Sequence, residues 1–256
     1  MVIGATTRQE NQAVYVLHSY PFKETSLIVE LFTRDFGRIA VVAKGARRPR
    51  SALRGMLQSF QSLLATWSGK QELKTLHSLE WHAGLLVLPG ESLMCGFYLN
   101  ELLMRLLPRD DPHEALFDEY ALTLKMLATQ AQDSAVILRK FELCLLQQLG
   151  YAVPLIQNIH DEVVDASKQY YYLPEVGPVS SVHVGQENGV QLSGETLLAM
   201  AQDDYSAALT QQQSKQLIPN VPCLALQFPT ESVPIAISQH PIEPITAGFR
   251  NIHSQS

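Results

Sequence analysis

The feature that most constrains the fold is a change of period near residue 90. Before it, short runs favour strands. After it, apolar residues return every three or four positions. The runs AVYVLHSY (13–20), SLIVELFT (26–33) and RIAVVAK (38–44) are rich in β-branched and aromatic residues, and PFKET and RDFG supply turn chemistry between them. SLLATWSG (62–69) and ELKTLHSLE (72–80) come next, joined through Ser68-Gly69-Lys70. Five strands with one long connection between the third and fourth predict a small Greek-key barrel of the OB type. An SH3-like barrel has a compatible spacing.

Beyond residue 90, Leu93, Met94, Phe97, Tyr98, Leu102 and Leu106 predict a helix that is apolar nearly all round, and therefore buried, with Pro108 as its stop. Asp111-Pro112-His113-Glu114 reads as the capping-box start of a second helix, whose stripe is Leu116, Tyr120, Leu124 and Leu127. A third helix begins near Asp133/Ser134, presents Ile137, Leu138, Phe141, Cys144 and Leu145 on one face, and ends at Gly150. Short connections predict that the three form a bundle. Residues 151–192 are irregular, with a hairpin expected over 169–184 and short helices over 194–201 and 203–217. Residues 219–256 hold six of the fourteen prolines and show no period, which predicts a poorly ordered tail. The expected class is α+β, in four parts: a five-stranded OB-fold barrel (1–82), a helical bundle (90–155), a small irregular C-terminal region (156–217) and an atypical tail (218–256).

Little in the chain points to bond chemistry. There is no GxxxxGK[ST] loop, no GxGxxG after a strand, no GxSxG and no HExxH. Eight histidines are scattered without ligand spacing, and the three cysteines (Cys95, Cys144, Cys223) form no CxxC pair or disulfide frame. Asp110-Asp111 and Asp203-Asp204 fall at predicted helix starts, where acids suit the helix dipole. No apolar run reaches the roughly 18 residues of a membrane helix. MVIGATTRQENQ lacks the apolar core of a secretory signal. A cytosolic, non-enzymatic protein without metal or cofactor is the expectation.

Charge carries the positive signal. The chain as a whole is at −6, yet residues 1–80 hold eleven Lys/Arg against six Asp/Glu. KGARRPRSALRGMLQSF (44–60) concentrates Lys44, Arg47, Arg48, Arg50 and Arg54 without an intervening acid, and Arg34 and Arg38 precede it. Gly45 permits a bend, Pro49 fixes φ, and Ser51 is placed to cap a short helix. The connection is expected to be mobile and to lie beside a barrel face, where guanidinium forks suit the phosphates of a nucleic acid. Phe22, Phe36, Phe60 and Trp67 are either stacking partners or barrel core. The same charges also fit a solvated loop, a contact with the acidic remainder of the chain, or an adaptor for acidic peptides. In SAVILRKFELCLLQQLGY, Arg139 and Lys140 fit either a solvent-facing pair, with Arg139 bonded to Glu142, or the cationic end of a peptide pocket.

VLHSYPFKETSLIVELFTRDFGRIAVVAKGARRPRSALRGMLQSF, ELKTLHSLE, YLNELLMRLLP and LRKFELCLLQQLGY resemble the RecO family of bacterial recombination mediators, from about residue 12 to 155 and more loosely to about 215. The resemblance implies an OB-fold domain, a helical domain and a C-terminal region that in some members is a four-cysteine zinc module. It implies binding of single- and double-stranded DNA, annealing of complementary strands, and loading of RecA with the partner RecR onto strands coated by single-strand-binding protein. It also implies a cytoplasmic, nucleoid-associated location. By position, Lys44, Arg47, Arg48, Arg50 and Arg54, with Arg34 and Arg38, would contact DNA. Arg139 and Lys140, with Leu146, Leu149 and Tyr151 as apolar wall, would receive the acidic tail of the single-strand-binding protein. Two departures stand out. No cysteine lies between 145 and 222, so the zinc ligands are missing. After Leu217 the chain lacks the family's basic helix.

Overall fold

A computed structural model of the chain describes residues 8–151, 154–158, 162–173, 176–180 and 189–217. The expected tail and the end of the 169–184 hairpin lie outside the described residues.

Five strands close into a barrel: β1 (Arg8–Phe22), β2 (Ser26–Thr33), β3 (Gly37–Ala43), β4 (Leu63–Ser68) and β5 (Leu73–Trp81). The order around it is β1-β2-β3-β5-β4, with β4 returning to β1. All neighbours are antiparallel except β3 and β5. This is the Greek-key order of the OB type, which decides against the SH3-like alternative. Val14, Val16, Val29, Leu31, Ile39, Val41, Leu63, Ala65 and Trp67 alternate inward and fill the barrel. Tyr15 and Phe32, the residues between them, point out and belong to a second core shared with the helices. The wall made by β1 and β2 is thus covered on both faces, which is why SLIVELFT reads as a nearly unbroken apolar run.

The second core is built on α2 (Glu91–Leu106), α3 (Glu114–Thr129) and α4 (Ser134–Gln148). The Tyr15 ring packs against Phe117 (5.3 Å between centroids) and Tyr120 (5.1 Å). Asn100 of α2 donates to the Leu17 carbonyl at 2.9 Å and accepts from the Tyr120 hydroxyl at 2.5 Å, so a buried polar chain joins barrel to bundle. Asp133 caps α4 by accepting from the Ala135 amide at 2.7 Å. Gly150, at φ +81, closes α4: its amide donates to Gln147 and that of Tyr151 to Leu146, a Schellman ending.

α3 starts at Glu114, later than the Asp111-Pro112 signal predicts. The reason is a backbone contact with the barrel. Asp110 donates its amide to the Arg38 carbonyl at 2.9 Å, and its carboxylate takes the Lys74 ammonium at 2.5 Å. Gly37, at φ +64, lies so close that a Cβ there would sit 1.8 Å from the Asp111 carbonyl oxygen. Residues 109–113 are spent on this junction instead of a first helical turn.

The C-terminal region holds a three-stranded sheet, β7-β6-β8, from β6 (Gln169–Leu173), β7 (Gly177–Ser180) and β8 (Val190–Ser193). Two helices, α5 (Gly194–Ala201) and α6 (Ala208–Leu217), complete it. α6 begins five residues beyond the expected 203, because Asp203, at φ +59, turns back to bond Lys140. Tyr170, Tyr172, Leu192, Leu197, Met200, Tyr205 and Leu217 enter the same core as the bundle. No described helix is long and apolar enough to cross a membrane.

Candidate nucleic-acid interface

The segment between β3 and β4 leaves the barrel at Lys44 and is pinned at once. Gly45, at φ +70, makes the bend; Ala46 is fully buried in the barrel core; the Arg47 amide donates to the Thr25 carbonyl at 2.9 Å. The amides of Arg48 and Ser51 then donate to the carbonyls of Gly45 and Arg48, winding the chain in tight turns. Ser51 precedes α1 (Ala52–Met56) in extended geometry, without a side-chain cap bond. Leu53, Met56 and Leu57 lie against the barrel core at helical spacing, which leaves Arg54 on the far side. Lys44, Arg47, Arg48, Arg50 and Arg54 are all exposed. The Arg47 guanidinium donates to the Lys23 carbonyl at 3.4 Å and so keeps Lys23 beside the group. None of the thirteen ion pairs among the described residues involves any of the five. Here the cations face solvent, and the alternative in which they fold onto the chain's own acids is not what the structure contains.

Arg34 and Arg38 have another fate. Arg34 forms a two-pronged bond to Asp118 of α3 (3.1 and 3.0 Å) and a third to Glu114 at 3.0 Å. That bond holds the Asp118 carboxyl below its usual range. Arg38 donates to the Leu107 carbonyl at 3.0 Å and to Glu30 at 3.3 Å. Arg109 reaches both Glu30 and Glu72. These cations clamp barrel to bundle and are engaged where the sequence places them on an open surface. The aromatics divide likewise. Phe60 and Trp67 are buried, and Phe36 packs edge-on against Trp67 at 5.5 Å. Of the four, Phe22 alone lies toward the basic segment, under the Lys23 ammonium (5.3 Å from the ring centroid).

On the helical side, a cavity of about 800 Å³ opens between α3, α4 and the segments after α4 and α5. Leu122, Met126, Leu143, Ile156 and Met200 give it apolar walls, Tyr151 stands at its side, and Lys140 supplies a cation. The Lys140 ammonium bonds Asp203 at 2.7 Å and lies 5.7 Å from the centre of the Tyr205 ring. Arg139 turns the other way, to Glu142 at 2.7 Å. Leu146 is fully buried and Leu149 packs on the core, so neither is cavity wall as the sequence suggests.

The region matched in position to a zinc module does not fit one. Its centre holds Tyr170, Tyr172 and Leu192, it has no cysteine ligand, and no group of three metal-ligating side chains converges among the described residues.

Fold and site together define an OB-type barrel carrying an unpaired cationic surface, backed by a helical module with its own apolar cleft. The family described as "Recombination protein O N terminal" matches residues 8–85, and "Recombination protein O C terminal" matches residues 89–208. The chain belongs to the RecO family of DNA repair proteins. It is 54% identical to the DNA repair protein RecO of Nitrosospira multiformis over 212 residues, covering 82% of this chain and 87% of the relative. It is 52% identical to that of Aromatoleum aromaticum, with the same coverage, and 48% identical to that of Burkholderia lata, covering 82% of this chain and 76% of the relative.

Proposed function

We propose that the chain is a recombination mediator that binds single- and double-stranded DNA through Lys44, Arg47, Arg48, Arg50 and Arg54, and brings complementary strands together without bond chemistry. The observation that carries this reading is the exposure of five unpaired cations on one pinned segment of an otherwise acidic chain. A cationic surface screens the repulsion between two phosphate backbones and raises their local concentration, which is what annealing requires. With RecR it assists loading of RecA onto coated strands. The Lys140 cleft receives the acidic tail of the single-strand-binding protein: apolar side chains enter between Leu122 and Met200, and a carboxylate displaces Asp203 from Lys140.

Salt titration tests the proposal. Five phosphate contacts on a single strand give a log–log slope of about −3.5, and the Arg47/Arg48/Arg50→Ala variant loses about 2 units of that slope. Equal binding by variant and wild type would favour the adaptor reading instead. Lys140→Ala is expected to weaken binding of an acidic-tail peptide about tenfold while leaving the DNA slope unchanged.

A further inference from the structure

We infer that His18 and Tyr20 form a ledge on which unpaired bases stack, so that the barrel surface selects single strands over duplex. β1 carries a register shift between Val16 and His18. Tyr15 upstream of it and Leu17 at the irregularity itself are buried against the bundle. Downstream, His18 and Tyr20 stand on one side of the strand, in solvent. Their rings touch each other, with centroids 4.4 Å apart and planes at 59°, and Tyr20 is 43% exposed. Both rings are therefore within reach of a ligand from solvent.

The ledge gains its meaning from the residues at the end of β1. Two positions past Tyr20 comes Phe22 with the Lys23 ammonium above its ring. Lys23 and Thr25 are the residues whose carbonyls hold Arg47. A backbone captured by the basic segment thus runs beside an aromatic ledge on the adjoining strand. Base–aromatic stacking tolerates any sequence, because every base has a π face. A duplex hides those faces, so the ledge adds nothing to duplex binding.

This inference rests on the proposed DNA contact of the basic segment, and the test separates the two. His18→Ala/Tyr20→Ala is titrated with an unstructured single strand and with a duplex of equal length, at two salt concentrations, beside the Arg47/Arg48/Arg50→Ala variant. Affinity for the single strand is expected to fall about tenfold or more, with duplex affinity and the salt slope unchanged. Tyr20→Trp retains tight single-strand binding, and its fluorescence is quenched by the strand but not by the duplex. Equal losses on both DNAs, no loss on either, or a Tyr20→Trp signal blind to single strands would overturn the ledge. If the arginine variant also binds like wild type, the underlying DNA reading fails with it. An arginine effect without a ledge effect sinks the ledge alone. Both positions are exposed strand sites outside the two apolar cores, and an unchanged urea midpoint verifies that the variants fold.

Discussion

Replacing Glu30 with alanine is expected to lower the unfolding free energy by about 3–5 kcal/mol, the range for an uncompensated buried charge. Glu30 lies on β2 with its side chain only 3% exposed, and it receives Arg38 from β3 and Arg109 from the α2–α3 connection. Without the carboxylate, the Arg38 guanidinium loses its counter-charge in a poorly hydrated site, while Arg109, a third exposed, keeps Glu72. Arg38, 13% exposed, cannot swing to water without giving up the Leu107 carbonyl. Glu30→Gln keeps an acceptor and falls between wild type and alanine. A triple change, Arg38→Met with Glu30→Leu and Arg109→Met, is expected to recover most of the loss, because a well-packed apolar set needs no counter-charge. Urea denaturation followed by tryptophan emission reads this directly: Trp67 and Trp81, the chain's two tryptophans, both lie in the barrel. A loss below about 1 kcal/mol would mean that water compensates the arginines, and that the Glu30 cluster contributes little to seating the barrel on the bundle.

The second large effect lies inside the bundle. Glu142 is fully buried on α4; one carboxylate oxygen accepts from the Tyr98 hydroxyl at 2.5 Å and from Arg139 at 2.7 Å. The other oxygen has no hydrogen-bond partner among the described residues, and neither does the Arg139 Nε. Burial pushes the carboxyl up to about 7, against the opposing pull of Arg139 and Tyr98. An acid raised in the folded state keeps a proton that the unfolded chain has released. Its contribution to stability is therefore fully present below about 4.5, its ordinary value, and declines as pH rises toward about 7. Arg139→Met removes the cation bonded to this group and is expected to cost about 3 kcal/mol at pH 8. At pH 5.5 the cost is smaller, because a carboxyl raised to about 7 already holds its proton there and leaves no bare charge behind. Glu142→Gln should flatten the stability-against-pH profile across that window. Unfolding midpoints at the two pH values check this, and a pH-independent Arg139→Met effect would show that the arginine acts only through packing.

The parts of the fold written in local chemistry are legible in the sequence. Four of the five strands lie within a residue, at each end, of the runs that predict them (26–33, 38–44, 62–69 and 72–80), and α4 starts at its Asp133 cap, because β-branched runs, turn residues and caps act over a few positions. β1 begins at Arg8, earlier than the 13–20 run, since residues 8–12 are polar and pair with β4 across an irregular register. Features decided by distant partners are not legible. Arg34 and Arg38 look like their basic neighbours, but their acceptors lie 69 to 84 residues away for Leu107, Glu114 and Asp118. The α3 start and the Asp203 turn depart from their acidic signals for the same reason: each carboxylate answers a lysine on another element. Leu146 reads as cleft wall only until α4 is rotated into its bundle. Lys44, Arg47, Arg48, Arg50 and Arg54, by contrast, form no ion pair with an acid among the described residues and keep the exposure that their sequence suggests.

Seating β4 against β1 leaves the barrel no unpaired strand margin. Molecules drawn to a long polyanion crowd to high density, and an open sheet in that state invites neighbours to add on and grow into fibres. The closed barrel offers crowded copies no such foothold, which leaves the outer strands β7 and β8 of the small C-terminal sheet as the described strand edges where an added strand could pair.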